Sequence, residues 1–179
     1  CMQYKRVISF GDSFTWGSDL LDCITGVKGV CGNSPSKSTW PALIAKHYDL
    51  DYQCLASPGI GNLRILETLL NADTSDSICI VNWSWIDRFD FCSSNTEEWE
   101  TVRPSGNTAL SKYYYKNFHG QYQDMLSNLI YINTAINYLQ SKNVKFFMTA
   151  IDSLLFEKIV PTWHQPAAVE TLQSSILPY

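Results

Sequence analysis

Short apolar runs along the chain alternate with stretches in which the apolar residues have helical spacing. Four runs predict β-strands, at Tyr4–Phe10, 51–55, 77–83 and 144–151. Within the third run, apolar residues stand on both sides of the strand, which is typical of a central strand in a parallel sheet. Helices are predicted from Ser38 or Thr39 to about His47, at about 63–70 and at 167–176. The alternation predicts an α/β fold, a three-layer α/β/α sandwich with a central, mainly parallel sheet.

The stretch from about 111 to 140 contains no proline and predicts one long helix. Its apolar residues are spaced by three and four, and they are Tyr115, Phe118, Tyr122, Met125, Leu129, Ile132, Ile136 and Leu139. Such a stripe can pack on the domain's own sheet, which we expect, or form a seam that joins two copies into an oligomer. Gly120 weakens the prediction near the start, and 87–106 has no clear period.

Composition restricts the function more than it defines it. The 179 residues suit one domain, and the net charge of −4 without a Lys/Arg block argues against a nucleic-acid partner. No apolar run is long enough to span a membrane, and no signal-peptide pattern is present, so the compartment stays unknown. The six cysteines lack zinc-site spacing, and reduced thiols are expected, although Cys23 and Cys31 could pair in an oxidising compartment.

The first predicted strand leads into the segment Gly11-Asp12-Ser13-Phe14-Thr15-Trp16-Gly17. A serine on a tight turn after a buried strand exposes its hydroxyl, and the neighbouring backbone N–H groups can hold an oxyanion. The segment resembles the first block of the SGNH/GDSL hydrolase family, G-D-S-x-[ST]-x-G. The resemblance implies a flavodoxin-like α/β/α sandwich in which Ser13 is the nucleophile and its N–H is an oxyanion donor.

A second block of that family resembles the segment Ser57-Pro58-Gly59-Ile60-Gly61. The resemblance implies that Gly59 gives its backbone N–H to the oxyanion hole. Independently of the family, a glycine lets backbone approach a ligand closely, and a following helix N-terminus favours negative charge. The alternative is a dinucleotide-binding fingerprint opened by Gly59 and Gly61. It is disfavoured because Arg64 stands where the third glycine is needed.

The third segment, Val81-Asn82-Trp83-Ser84-Trp85-Ile86-Asp87-Arg88, departs from the family's G-x-N-D block. Ser84 takes the place of the asparagine that donates to the oxyanion. The segment is similar to a subgroup of GDSL-like proteins with tryptophan followed by Ser or Thr and then an arginine. Either the Asn82 amide or the Ser84 hydroxyl could be the side-chain donor, and a plain Ser/Asn turn after a strand is the alternative.

A serine nucleophile needs a base, which the family supplies from a D-x-x-H block before its last helix. No Asp in this chain is followed by His three residues later. His47 and His119 are expected to be structural. His164 lies near the expected place, but there is no room for the fifth strand that normally precedes the family's histidine. We therefore expect 1–179 to be a single hydrolase domain that lacks this block, with a histidine beyond Tyr179.

The resemblance implies a serine esterase or acylhydrolase that needs neither a metal nor an organic cofactor. Its substrate would be a carbohydrate O-acyl ester or a short-chain lipid ester, cleaved through an acyl-enzyme on Ser13. Trp16, Trp83 and Trp85 could shape the substrate pocket or simply pack in the core. The alternative function is a non-catalytic binding or structural module that keeps the fold without the proton relay.

Overall fold

The chain folds around a parallel sheet. The computed structural model describes residues 4–23, 32–158 and 167–177. Within them, four parallel strands form a sheet in the order β2-β1-β3-β6, and two more form an antiparallel hairpin. The strands are β1 (Arg6–Phe10), β2 (Asp51–Cys54), β3 (Ser77–Trp83), β4 (Phe89–Cys92), β5 (Trp99–Val102) and β6 (Lys145–Ala150).

Helices cover both faces of this sheet. They are α1 (Ser13–Trp16), α2 (Trp40–His47), α3 (Asn62–Asn71), α4 (Ala109–Asn117), α5 (Gln121–Ser141) and α6 (Ala167–Ile176), with a short 3-10 helix at Ser153–Phe156. One face packs on α3 and α5 in the main core, which contains Phe10, Val81 and Trp83. The other packs Val7 and Ile80 against Ala45 of α2. The predicted α/β class with a central parallel sheet between helices is confirmed.

The predicted single helix over 111–140 is wrong, because the chain breaks between α4 and α5. Phe118 caps α4 and is 65% exposed, and Gly120 is the extended residue that starts α5. The helical spacing continues across the break, so periodicity alone cannot reveal it. In α5, Met125, Leu129 and Leu139 are fully buried in the chain's own core. Self-association through α5 stays a prediction, and it would have to use the opposite side of the helix.

The hairpin β4–β5 was not predicted from the sequence, and it leads into α4 beside the sheet. Asp90 of β4 accepts hydrogen bonds from the N–H groups of Gly61 (2.9 Å) and Arg64 (3.1 Å), and from the Thr101 hydroxyl. The carboxylate therefore caps the N-terminus of α3, where negative charge is favourable. This contact fixes the hairpin next to the turn that contains Gly59.

None of the helices within the described ranges has the length and apolar character needed to cross a membrane.

Candidate active site

Ser13 lies at the start of a single helical turn at the carboxyl end of β1. Asp12 caps this turn, and its side chain accepts a hydrogen bond from the Phe14 N–H at 3.0 Å. Gly17 ends the turn in the left-handed region, with φ 80°, and its N–H donates to the Ser13 carbonyl. Aspartate at the cap and glycine at the end are the residue types that such a short turn requires. The segment thus forms a tight serine turn with a half-buried Ser13.

The turn that contains Gly59 is joined directly to the Ser13 turn. The Ser57 N–H donates to the Gly11 carbonyl at 3.0 Å. Ser57 precedes Gly59 by two residues, and Gly11 precedes Ser13 by two residues. Gly59 has φ 81°, a conformation that residues with a Cβ rarely adopt. The structure therefore brings these two predicted residues to the same edge of the sheet, where parallel sheets bind their ligands.

A guanidinium fixes the two turns to each other. Arg88 Nη1 donates to Asp12 Oδ2 at 3.0 Å and to the Ile60 carbonyl at 2.8 Å. Asp12 is fully buried, and the Arg88 side chain is 12% exposed. Because one nitrogen atom holds the neighbours of Ser13 and Gly59, the relative position of the two turns depends on this ion pair.

The Ser84 hydroxyl is also used inside this network. It is fully buried and donates to Asp12 Oδ2 at 2.7 Å, while the Ser84 N–H donates to Asn62 Oδ1 at 2.7 Å. A hydroxyl has one proton to donate, so this one is not available to a substrate in the described arrangement. Asn82 differs, because its Oδ1 accepts from Thr149 and its Nδ2 has no partner within the described residues.

At the junction of the two turns, the hydroxyl and the backbone N–H of Ser13 and the backbone N–H of Gly59 have no partner within the part of the chain that the structure describes. The buried Thr15 hydroxyl and Trp16 Nε1 on the same turn are unpaired as well. Polar groups in folded proteins are normally paired with protein or water. A half-buried hydroxyl on a turn that is joined to a second turn with a free N–H has the kinds of group that attack a carbonyl and stabilise the resulting oxyanion.

Two of the three histidines lie within the described residues. His119 is in the connection between α4 and α5, not on a long helix as predicted, and its Nδ1 lies 2.8 Å from Asp124 Oδ2. Burial raises the pKa of Asp124 to about 6, which the His119 charge opposes. His47 packs its ring edge-on against Tyr48 at the end of α2. His164 and Cys31 lie outside the described residues.

Sequence reasoning missed the polar groups that hold the site together. Asn62 binds the Ser84 carbonyl (3.0 Å) and Asn128 Oδ1 (2.7 Å), and Asn128 in turn binds the Ile86 carbonyl. Asp152 accepts from the Ile86 N–H at 3.0 Å. The segment after β3 is therefore fixed by amide groups from α3 and α5 and by the carboxylate of Asp152, two residues after β6. The only feature of the sequence that pointed to this supporting network was Arg88, the arginine of the third segment.

No family model and no curated protein matches this chain. Solved structures do match it. An acetyl xylan esterase from the rumen bacterium Butyrivibrio proteoclasticus is 13% identical, with a TM-score of 0.53 over 97% of this chain and 51% of that one. A carbohydrate esterase whose active site is described as having divergent catalytic and non-catalytic binding functions is also 13% identical, with a TM-score of 0.50 over 97% of this chain and 55% of that one. The chain thus spans about half the length of these structures and has a fold similar to theirs.

Proposed function

We propose that this chain is a serine esterase of the SGNH/GDSL type, in which Ser13 forms an acyl-enzyme with the acyl group of an ester. The observation that carries the proposal is the unpaired Ser13 hydroxyl beside the free N–H groups of Ser13 and Gly59. Attack on the ester carbonyl places negative charge on its oxygen, which these donors stabilise. Water then hydrolyses the acyl-enzyme. The similar folds of two carbohydrate esterases support an O-acyl carbohydrate as substrate.

Asn82 is the side-chain donor that we assign to the oxyanion. Of the two candidates, Asn82 keeps an unpaired Nδ2 within the described residues, whereas the Ser84 hydroxyl is committed to Asp12. We assign Ser84 and Arg88 to positioning the Ser13 turn through Asp12.

The proton relay is proposed to come from a D-x-x-H block outside residues 1–179, with His164 as the alternative within them. The sheet has space for further chain, because β6 is an edge strand in the described sheet. Beside it, the sheet face next to α2 carries an open apolar groove of about 1280 Å³, lined by residues such as Ile44, Leu50, Ile80 and Phe147. A strand and a helix added there would bring a histidine towards the same edge as Ser13.

A fluorophosphonate probe tests the nucleophile directly. We expect labelling at Ser13 in the folded chain, identified by peptide mass spectrometry and absent from Ser13→Ala. Ser57→Ala is the matched control, because Ser57 lies on the neighbouring turn. Its hydroxyl has no proposed role in the reaction, so its removal should leave the labelling of Ser13 unchanged. The proposal fails if neither residues 1–179 nor a longer chain that contains a D-x-x-H block is labelled. His164→Ala in residues 1–179 distinguishes the two candidate bases, because labelling should be lost only if His164 is the base.

Gly59→Ala tests the oxyanion hole. Alanine at φ 81° is strained, so we expect the backbone at Gly59 to shift and to carry its N–H with it. Its Cβ would also lie 3.2 Å from Arg103 Nη1, the end of a flexible side chain that can move aside. Losing one oxyanion donor typically costs about a hundredfold or more in rate, and we expect the labelling rate to fall on that order. Gly120→Ala is the control, since no atom lies within 4 Å of its Cβ position and its φ is not positive. An unchanged rate in Gly59→Ala would remove Gly59 from the mechanism.

A non-catalytic binding module is the second candidate. It is favoured because the contacts given for the two described histidines, His119 with Asp124 and His47 with Tyr48, do not supply Ser13 with a base. One structure with a similar fold is described as having non-catalytic binding functions as well as catalytic ones. A folded, extended chain that binds a carbohydrate ester but resists the fluorophosphonate would establish this function.

A further inference from the structure

A positive charge lies against the proposed oxyanion glycine. The guanidinium of Arg103 fills the space beside Gly59, since a Cβ on Gly59 would lie 3.2 Å from Arg103 Nη1 and 3.8 Å from its Cζ. Arg103 is exposed, and its guanidinium forms no ion pair or hydrogen bond with any described residue. It lies beside the turn that contains Gly59, which the Ser57 N–H joins to the Ser13 turn.

The backbone of Arg103 is fixed although its guanidinium is free. Its carbonyl accepts from the Gly106 N–H at 2.8 Å and from the Ser111 hydroxyl at 3.4 Å. The preceding residue, Val102, is 5% exposed and belongs to β5. A charged group on a firmly anchored backbone can reach a ligand at a defined place with a limited loss of entropy.

The two buried carboxylates that support the two turns are already engaged with other donors. Asp90 accepts from two N–H groups at the start of α3 and from Thr101. Asp12 is held by Arg88 and Ser84. The Arg103 guanidinium is therefore left with its hydrogen-bonding capacity unused, next to the place where the scissile ester would bind. Its planar fork of donors matches a carboxylate, which it can bind through two parallel hydrogen bonds.

We propose that Arg103 selects esters that carry a carboxylate close to the scissile bond, such as acyl esters of acidic sugars or of hydroxy acids. This inference rests on the proposed esterase function and names its substrate class. Exposed aromatic side chains suit a ring-bearing substrate, because Phe14 directly follows Ser13 and Trp85 directly follows Ser84. They are 60% and 41% exposed, respectively.

Binding of a matched pair of stable amide ligands tests the inference without requiring turnover. The probes are 4-acetamidobenzoate, which carries the carboxylate, and neutral 4-acetamidobenzamide, with dissociation constants measured by titration of residues 1–179. We expect the anion to bind roughly tenfold more tightly, as for one charge-assisted contact. Arg103→Met should remove this preference, and Arg103→Lys should retain only part of it.

Lys46→Met is the control for net charge. Lys46 is exposed near the end of α2, at the opposite edge of the sheet from the site, so its loss must leave the preference intact. The inference is overturned if the wild type binds neither ligand, binds both equally, or keeps its preference in Arg103→Met. Fluorophosphonate labelling of the same proteins is read separately. A labelled Ser13 with no anion preference refutes the substrate class alone, whereas a Ser13 that stays unlabelled both here and in a longer chain with a D-x-x-H block refutes the esterase.

Discussion

Ser13→Ala is expected to lower ester hydrolysis about a thousandfold or more, measured in a chain that includes the proposed relay histidine. The substitution should leave the stability of the protein nearly unchanged. The Ser13 hydroxyl has no partner within the described residues, so its removal breaks no folding contact. It does remove the atom that would attack the ester. Hydrolysis of 4-nitrophenyl acetate and urea unfolding, measured on the same preparation, give the two quantities.

Ser84→Ala is the matched comparison, because it removes the same atom from a serine with the opposite environment. The Ser84 hydroxyl is fully buried and donates to the Asp12 carboxylate at 2.7 Å. Leaving that carboxylate short of a donor should lower the free energy of unfolding by about 1–3 kcal/mol. The proposed esterase function predicts that Ser13→Ala loses rate without losing stability, whereas Ser84→Ala loses stability and, through the Ser13 turn that it positions, a smaller part of the rate. If Ser13→Ala unfolds as easily as Ser84→Ala and hydrolysis persists, Ser13 is only a structural turn residue.

The parallel sheet was predictable because its strands are specified by local sequence. β3 was predicted as 77–83 and is observed as Ser77–Trp83, since its apolar residues fill positions on both faces of the sheet. The hairpin β4–β5 was not predictable from its own sequence, which has no regular alternation. Its position depends on distant contacts, such as Asp90 on the start of α3 and the Phe89 ring stacked on Tyr114.

The break between α4 and α5 escaped prediction for a different reason. Phe118 and Tyr122 continue the spacing of three and four, so the pattern reads through residues that are not helical. His119, between the two helices, lies 2.8 Å through its Nδ1 from Asp124 Oδ2 of α5, a contact that periodicity does not encode.

The reactive residues of the candidate site could be predicted, but the residues that support them could not. Ser13 and Gly59 stand in short motifs whose chemistry is local, a serine on a turn and a glycine before a helix. Asp12 lies in the first motif, yet its partners Ser84 and Arg88 are 72 and 76 residues away in sequence. Only the folded sheet, which places β1 beside β3, brings these groups together. Buried polar networks of this kind depend on the fold and not on the neighbouring sequence.

Arg88→Met is expected to give the largest loss of stability, about 3–5 kcal/mol in the free energy of unfolding. Asp12 is fully buried, and the substitution removes the cation that neutralises it. The Ile60 carbonyl loses its donor in the same step. Asp12 is next to Ser13 in sequence and Ile60 is next to Gly59, so the two turns should also move apart when Arg88 no longer joins them. Fluorophosphonate labelling should therefore slow even at temperatures where the variant remains folded.

Arg6→Met provides a control with nearly the same geometry at the surface. Arg6 Nη2 lies 3.1 Å from Asp73 Oδ2, against 3.0 Å for Arg88 and Asp12, but the Asp73 side chain is 74% exposed. Exposed ion pairs contribute about 1 kcal/mol or less. Arg6 also donates to the Ser77 hydroxyl and the Asp73 carbonyl, so Arg6→Met should cost some stability, but less than Arg88→Met, and should leave labelling unchanged.

Adding Asp12→Asn to Arg88→Met removes the buried charge that the single change leaves unpaired. The double variant should recover part of the lost stability, because a neutral amide at position 12 needs no cation. It should not recover the labelling rate, because the guanidinium that joined residue 12 to the Ile60 carbonyl is still missing. A loss below about 1 kcal/mol in Arg88→Met would show that the Asp12–Arg88 pair does not hold the site together. Recovery of labelling in the double variant would show that the charge of Asp12, and not the link to Ile60, sets the reactivity of Ser13.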